Sequence, residues 1–293
     1  MVGGAGDTKP IPPGFYFKPP DSAQTINDSK TTPLHHMNGM EAVIAGAIQG
    51  IFEWLPISSE AQTMLYFLNS LHMDPHAALS YALYLHIGTT LAVLIRFRGE
   101  FIQILRNLRL DYKLTRIILI ASLATAVTGM PLYFLLKSTT LGLDPAIFTL
   151  LIGGMLILTG VIMKASGASG EKEVDQITDK DTIITGFAQG FAIIPGISRS
   201  GITVATLLAR NINQETALVI SFLMSAPAAL SIFVIDFGSI RLIPIQTAVI
   251  LTLSSFFFGY LSMDVLLKVA KRMPFWIFCI AIGVITIVLV LLL

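Results

Sequence analysis

Two short stretches place residues capable of chemistry within an otherwise apolar chain. The first runs Gln49-Gly50-Ile51-Phe52-Glu53-Trp54-Leu55-Pro56-Ile57-Ser58-Ser59-Glu60, the second Pro195-Gly196-Ile197-Ser198-Arg199-Ser200-Gly201. An ionisable group at membrane depth is costly and faces a cavity or a partner, which singles out Glu53, Glu60 and Arg199. Arg199 opens a helix, where unpaired N–H groups and the positive dipole end attract anions. Its planar fork matches phosphate oxygens, and Ser198 and Ser200 add hydroxyl donors. The set reads as an anion cradle, most simply for a phosphate. The competing reading is a structural Glu–Arg pair with the hydroxyls as helix caps. Ser58 and Ser59 are likewise either nucleophiles or caps.

The elements that must position these residues are apolar helices. Of 293 residues, 54% are hydrophobic and only 13% charged, and mean hydropathy is +0.76. Soluble domains carry roughly a quarter charged residues, so this chain cannot coat a soluble particle. A net charge of +1 argues against nucleic acid as a partner. The lone Cys279 excludes a disulfide framework or thiolate metal site. Six segments near bilayer length are expected to span: about Ala77–Phe97, Leu114–Leu136, Ala146–Met163, Ala217–Ile235, Ile245–Leu267 and Pro274–Leu293. Basic residues gather in the loops near Arg96–Arg116, Lys164–Lys180 and Lys268–Arg272, which fall on one side of a six-span alternation and so define the cytoplasmic face. The chain is therefore expected to be a multi-pass protein of the cell membrane.

Glu41–Leu71 and Thr182–Ile212 are too apolar for loops and too interrupted for spans. Broken backbone at membrane depth survives only where it is buried in protein or lines a cavity, so each is read as a re-entrant helical hairpin. Their sequences resemble each other. Gly46, Gln49 and Gly50 match Gly186, Gln189 and Gly190, and after a one-residue slip Pro56 and Ser59 match Pro195 and Ser198. Three spans follow each hairpin, so the second copy inserts inverted, and such repeats place their site at the midplane. The expected fold is an all-α membrane protein, an inverted-topology repeat of six transmembrane helices plus two re-entrant helical hairpins. Its parts are residues 1–40, a disordered tail or added extension, with Met37 or Met40 as alternative starts; 41–164, the first repeat; 165–181, a cytoplasmic loop; and 182–293, the second repeat. The His35-His36 pair in the tail, and His72 with His76, are weak metal candidates.

Residues Gln49–Ser59 resemble the acidic motif and Leu-Pro-x-Ser-Ser sequence of the undecaprenyl pyrophosphate phosphatases, the bacitracin-resistance membrane phosphatases. Pro195–Gly201 is similar to that family's Pro-Gly-x-Ser-Arg-Ser-Gly motif. The resemblance implies hydrolysis of a C55 isoprenoid diphosphate to the monophosphate lipid carrier of cell-wall synthesis, assisted by a divalent cation such as Mg or Ca. It implies Glu53 as acid/base or metal ligand, Ser59 as nucleophile or substrate contact, and Arg199 as the diphosphate clamp. Gln49, Ser58, Gln62, Ser198, Ser200, Gly196 and Gly201 would border the substrate.

One departure bears on the chemistry. The family usually shows a catalytic His where this chain has Gln62, and Gln where this chain has His86, in Leu85-His86-Ile87-Gly88. His86 is expected either to supply the lost imidazole or to serve as a hydrogen-bonded structural histidine. The departure keeps open a polyprenyl-phosphate transporter or flippase on the same fold, and a degenerate relative with a structural role. A homo-oligomer is compatible with the sequence but not specified by it.

Overall fold

The computed structural model describes residues 37–55, 57–139, 145–165, 170–235, 237–240, 242–270 and 275–292. The expected tail up to residue 36, including His35 and His36, lies outside them, as do Pro56, Lys271 and Arg272. The described residues are helical and form no strands beyond one isolated bridge, Lys172 with Ile212. In chain order the helices are α1 (Gly39–Phe52), α2 (Ser59–Leu65), α3 (Pro75–Arg96), α4 (Arg98–Arg106), α5 (Lys113–Thr139) and α6 (Pro145–Ala165). Then follow α7 (Asp179–Gly190), α8 (Arg199–Ala209), α9 (Gln214–Ile235), α10 (Phe237–Ile240), α11 (Ile245–Ala270) and α12 (Phe275–Leu292).

Four of these are long and apolar enough to cross a membrane: Pro75–Arg96, Lys113–Leu136, Gln214–Ile235 and Ile245–Val265. Gly39–Phe52, Thr149–Ala165 and Cys279–Leu291 form shorter apolar helices. Large apolar side chains such as Leu123, Val127, Val234 and Leu253 stay exposed, as lipid-facing residues do when no water drives their burial.

The first helix starts earlier than the sequence suggests. Asn38 caps α1 in a capping box with Glu41, and Met37 is buried, so the boundary at residue 40 falls inside the first helix. Local signals set the other starts too. Asp74 caps α3 ahead of Pro75, a residue suited to the first helical turn because its missing N–H is not needed there. Ser58 and Ser198 cap α2 and α8, each accepting from a backbone N–H three residues on. The spacing from Gln49 to Ser58 equals that from Gln189 to Ser198. The two cap serines therefore correspond without the one-residue slip inferred from the prolines, and the slip is confined to the breaks themselves. Gly196 lies there at φ +97°, against Ile152 and Met155 of α6.

The packing partners cross over. α1 lies along α11, and α7 lies along α5. Both contacts depend on paired glycines one helical turn apart. A Cβ on Gly50 would come within 2.5 Å of the Gly259 nitrogen, and one on Gly186 within 2.5 Å of the Ala121 oxygen. Hydroxyls reinforce each contact. Ser262 donates to the Gly50 carbonyl at 2.8 Å, and Thr125 donates to the Gly186 carbonyl at 3.0 Å. Small residues that let helix backbones approach, with hydroxyls bonding across, are how helices associate in lipid. α3 packs on α9 and α6 on α12.

At the loop-side end of α7, Asp181 is fully buried. It accepts from Arg210 Nε at 2.7 Å, Lys172 Nζ at 3.3 Å and both Thr178 donors. Burial opposes its ionisation, but the bonds from Thr178, Arg210 and Lys172 together outweigh that and hold the carboxyl well below the usual carboxylate range.

Candidate active site

α1 ends at Phe52 and places Glu53, its C-cap, beside the break. The Glu53 carboxylate is 6% exposed and fully engaged. Its Oε2 accepts from Gln49 Nε2 at 2.8 Å and from Ser59 Oγ at 2.6 Å, while Oε1 accepts from Arg199 Nη2. Arg199, the first residue of α8, also donates through Nη1 to the Ser221 carbonyl at 3.1 Å. The guanidinium thus bridges α9 and the first break. Ser200 Oγ donates to the Leu55 carbonyl at 2.9 Å and completes the junction.

Ser59 opens α2, and Ser58 before it sits at φ +58°. A residue with a Cβ is uncommon in that left-handed region, and strain of this kind collects at functional sites. Here it brings two hydroxyls to the break, one capping α2 and the other bonded to Glu53.

His86 of α3 approaches the same carboxylate, with Nε2 3.5 Å from Glu53 Oε2. Its Nδ1 lies 3.0 Å from the Ala82 carbonyl. A carbonyl only accepts, so Nδ1 carries the proton in the neutral ring and Nε2 presents its lone pair.

These groups open on one cavity of about 220 Å3, lined by Glu53, Ser58, Ser59, Glu60, His86, Ser198, Arg199 and Ser200, among others. Apolar residues of α9, such as Ile232 and Ile235, and of α5, such as Met130, line the rest. The result is a polar end continuous with an apolar passage.

Four expected contacts are not brought to the cavity: Gln49, Gln62, Gly196 and Gly201. Gln49 acts one step back, through Glu53. Gln62 starts about 4.5 Å further along α2 than Ser59, and its buried Nε2 has no partner. Gly196 gives its carbonyl to Thr159 at 3.3 Å and shapes the turn, and Gly201 serves the Ser198 cap. His72 lies in the turn before α3 at φ +51°. Among the described residues no group of three or more His, Cys, Asp or Glu side chains could hold a metal ion by itself.

Other residues at the site were not anticipated. Gln189, Thr125, Thr89, Thr90 and Ser225 all line the cavity, beside the expected Glu60, and Thr203 bonds Ser221 beneath Arg199 at 2.6 Å. Gln189 could have been found as the counterpart of Gln49. The threonines and serines of the spans carry no sequence signal beyond being polar in an apolar run.

The fold and site define a helical membrane protein with a buried carboxylate–guanidinium centre at the meeting of two interrupted segments. A family model described as bacitracin resistance protein BacA matches residues 42–288, and the chain belongs to that family. An undecaprenyl-diphosphatase of Methanothrix thermoacetophila is 43% identical over 255 residues, covering 86% of this chain and 97% of that protein. One of Haloarcula marismortui is 36% identical over 258 residues, covering 83% and 93%. An undecaprenyl-diphosphatase 4 of Bacillus cereus is 36% identical over 243 residues, covering 80% and 90%.

Proposed function

We propose that this chain hydrolyses a long-chain isoprenoid diphosphate, of the undecaprenyl diphosphate class, to the monophosphate lipid and inorganic phosphate. The carrying observation is that Ser59 Oγ already donates to Glu53 Oε2 at 2.6 Å, inside a cavity that also holds Arg199. A hydroxyl bonded to a carboxylate is a nucleophile with its base in place. Ser59 attacks the terminal phosphorus and Glu53 takes its proton. The bond from that phosphorus to the bridging oxygen breaks, and the monophosphate lipid leaves. Water then cleaves the phosphoserine and restores Ser59. Arg199, with the start of α8 and the Ser198 and Ser200 hydroxyls, holds the phosphate oxygens as charge shifts onto the leaving group. His86, with Nε2 open toward Glu53, relays the proton to the leaving oxygen, the role its family partner at Gln62 cannot fill. A divalent cation, Mg or Ca, offsets the charge of the diphosphate when bound. The apolar passage beside α5 and α9 suits the prenyl chain.

The inverted repeat belongs to the same proposal. It is supported by the crossed packing of α1 on α11 and α7 on α5, by the matched caps Ser58 and Ser198, and by the self-paired α3 with α9 and α6 with α12. On that reading α6 and α12 complete six spans of a cell-membrane protein, with repeats 41–164 and 182–293.

The test is phosphate release. Purified protein in detergent or liposomes should free phosphate from undecaprenyl diphosphate with divalent cation present, and Glu53→Gln and Arg199→Ala should each lower the rate by about 10²-fold or more. Reorientation of lipid in liposomes without phosphate release would overturn the hydrolase and leave a transporter.

A further inference from the structure

Glu60 takes no part in the chemistry above, yet it lines the same cavity at 8% exposure. Its Oε1 is buried without a hydrogen-bond partner. Among the described residues no salt bridge reaches it, because the site's guanidinium is committed to Glu53. Gln189, 3% exposed, lines the cavity from α7 and turns its Nε2 to Thr125 at 3.0 Å, which leaves its Oε1 buried and unpartnered as well.

Both orphaned atoms are acceptors, and the groups of a diphosphate are acceptors too. Two acceptor oxygens cannot satisfy each other, so a donor such as water or a cation must meet them, and a buried carboxylate favours the cation. Buried charges are paired or coordinate metals. The residues therefore fit a hard divalent cation, which takes carboxylate and amide carbonyl oxygens. Mg2+ in particular is held by one or two carboxylates together with substrate phosphates rather than by an all-protein cage, which is consistent with a site lacking three clustered protein ligands.

We propose that Glu60, assisted by the Gln189 side-chain carbonyl, holds the divalent cation that accompanies the diphosphate, while Glu53 stays with Arg199 and Ser59. The expected assignment of the cation to Glu53 is replaced, because both Glu53 oxygens already have donors. The inference rests on a diphosphate as ligand but not on its hydrolysis.

The experiment titrates the purified full chain with Mn2+ in the presence of methylenediphosphonate and reads free Mn2+ by electron paramagnetic resonance. Glu60→Gln should weaken Mn2+ by about tenfold or more. Gln189→Leu and Glu53→Gln should each weaken it less than Glu60→Gln does. Unchanged affinity in Glu60→Gln, or loss confined to Glu53→Gln, overturns the proposal. If Glu60→Gln does not fold, wild-type protein decides the matter. Labelling of Glu60 by a hydrophobic carbodiimide, read by peptide mass spectrometry, should fall when Mn2+ and methylenediphosphonate are added, and unchanged labelling overturns the site. Phosphate release from undecaprenyl diphosphate is scored separately. Cation binding through Glu60 without release would sink the hydrolase alone, and release with Glu60-independent binding would sink the cation site alone.

Discussion

Arg199 and Glu53 lie 146 residues apart and meet in a charge-assisted hydrogen bond, with the second guanidinium nitrogen on the Ser221 carbonyl. One planar group thus ties the first break to α8 and α9. A buried pair of this kind costs desolvation as well as supplying attraction, and here it also holds a base and an anion clamp side by side.

The fork cannot be replaced by a point charge. Arg199→Lys keeps the charge but cannot engage Glu53 and Ser221 together. Phosphate release should fall by roughly 10²-fold or more, toward the level of Arg199→Ala. Glu53→Gln and Arg199→Ala combined should cost less than the sum of the two, since either change breaks the same contact. Steady-state kinetics of the single and double variants check both points.

The two exchanged residues, Gln62 and His86, should behave unequally. His86→Ala removes an imidazole 3.5 Å from Glu53 and should lower kcat by about 10²–10⁴. Gln62→His places a ring on a residue that does not line the cavity, and should not rescue His86→Ala. Rescue would move the acid/base role back to α2.

Glycine substitutions should divide by what a Cβ would meet. Gly50→Val and Gly186→Val drive carbon into the backbone of α11 and α5. Overpacking typically costs about 1–3 kcal/mol, so apparent Tm in detergent should fall and activity with it. Gly154→Ala enters open space in α6, and should be neutral or slightly stabilising because Gly is the poorer helix former.

Asp181 predicts an acid limit to stability. Its folded carboxyl titrates below its unfolded value, so its contribution is present above about pH 4 and is lost as pH falls through the folded value. Apparent Tm should drop between pH 5 and pH 3 more steeply in wild type than in Asp181→Asn. Asp181→Ala, which strands Arg210 and Lys172, should destabilise at pH 7 by roughly 3–5 kcal/mol.

Composition and interrupted hydrophobicity made the helices and the two polar breaks legible, because those signals are local. Glu53, Glu60 and Arg199, marked by their intramembrane charge, are brought to one cavity with Ser59 and His86, which the family resemblance had pointed to. What sequence could not supply was direction. Gln62 and Ser59 are three residues apart on a seven-residue helix, yet only one reaches the cavity. Glu60 stands out as an ionisable residue in an apolar segment, but its lack of a partner is a property of the packing around it. Thr125 and Thr203 look like any span threonine until their partners, Gly186 and Ser221, are seen.

The crossed seating of α1 has a bearing on how the chain is made. Ser262, which locks Gly50, is translated 212 residues after it, so the first polar segment leaves the ribosome long before its seat exists. Until α11 is inserted, α1 lacks the helix along which it packs. Final packing of the first segment is thereby a late event in biogenesis, and a chain cut short before α11 would carry Glu53, Ser59, His86 and Arg199 but not the helix along which α1 lies.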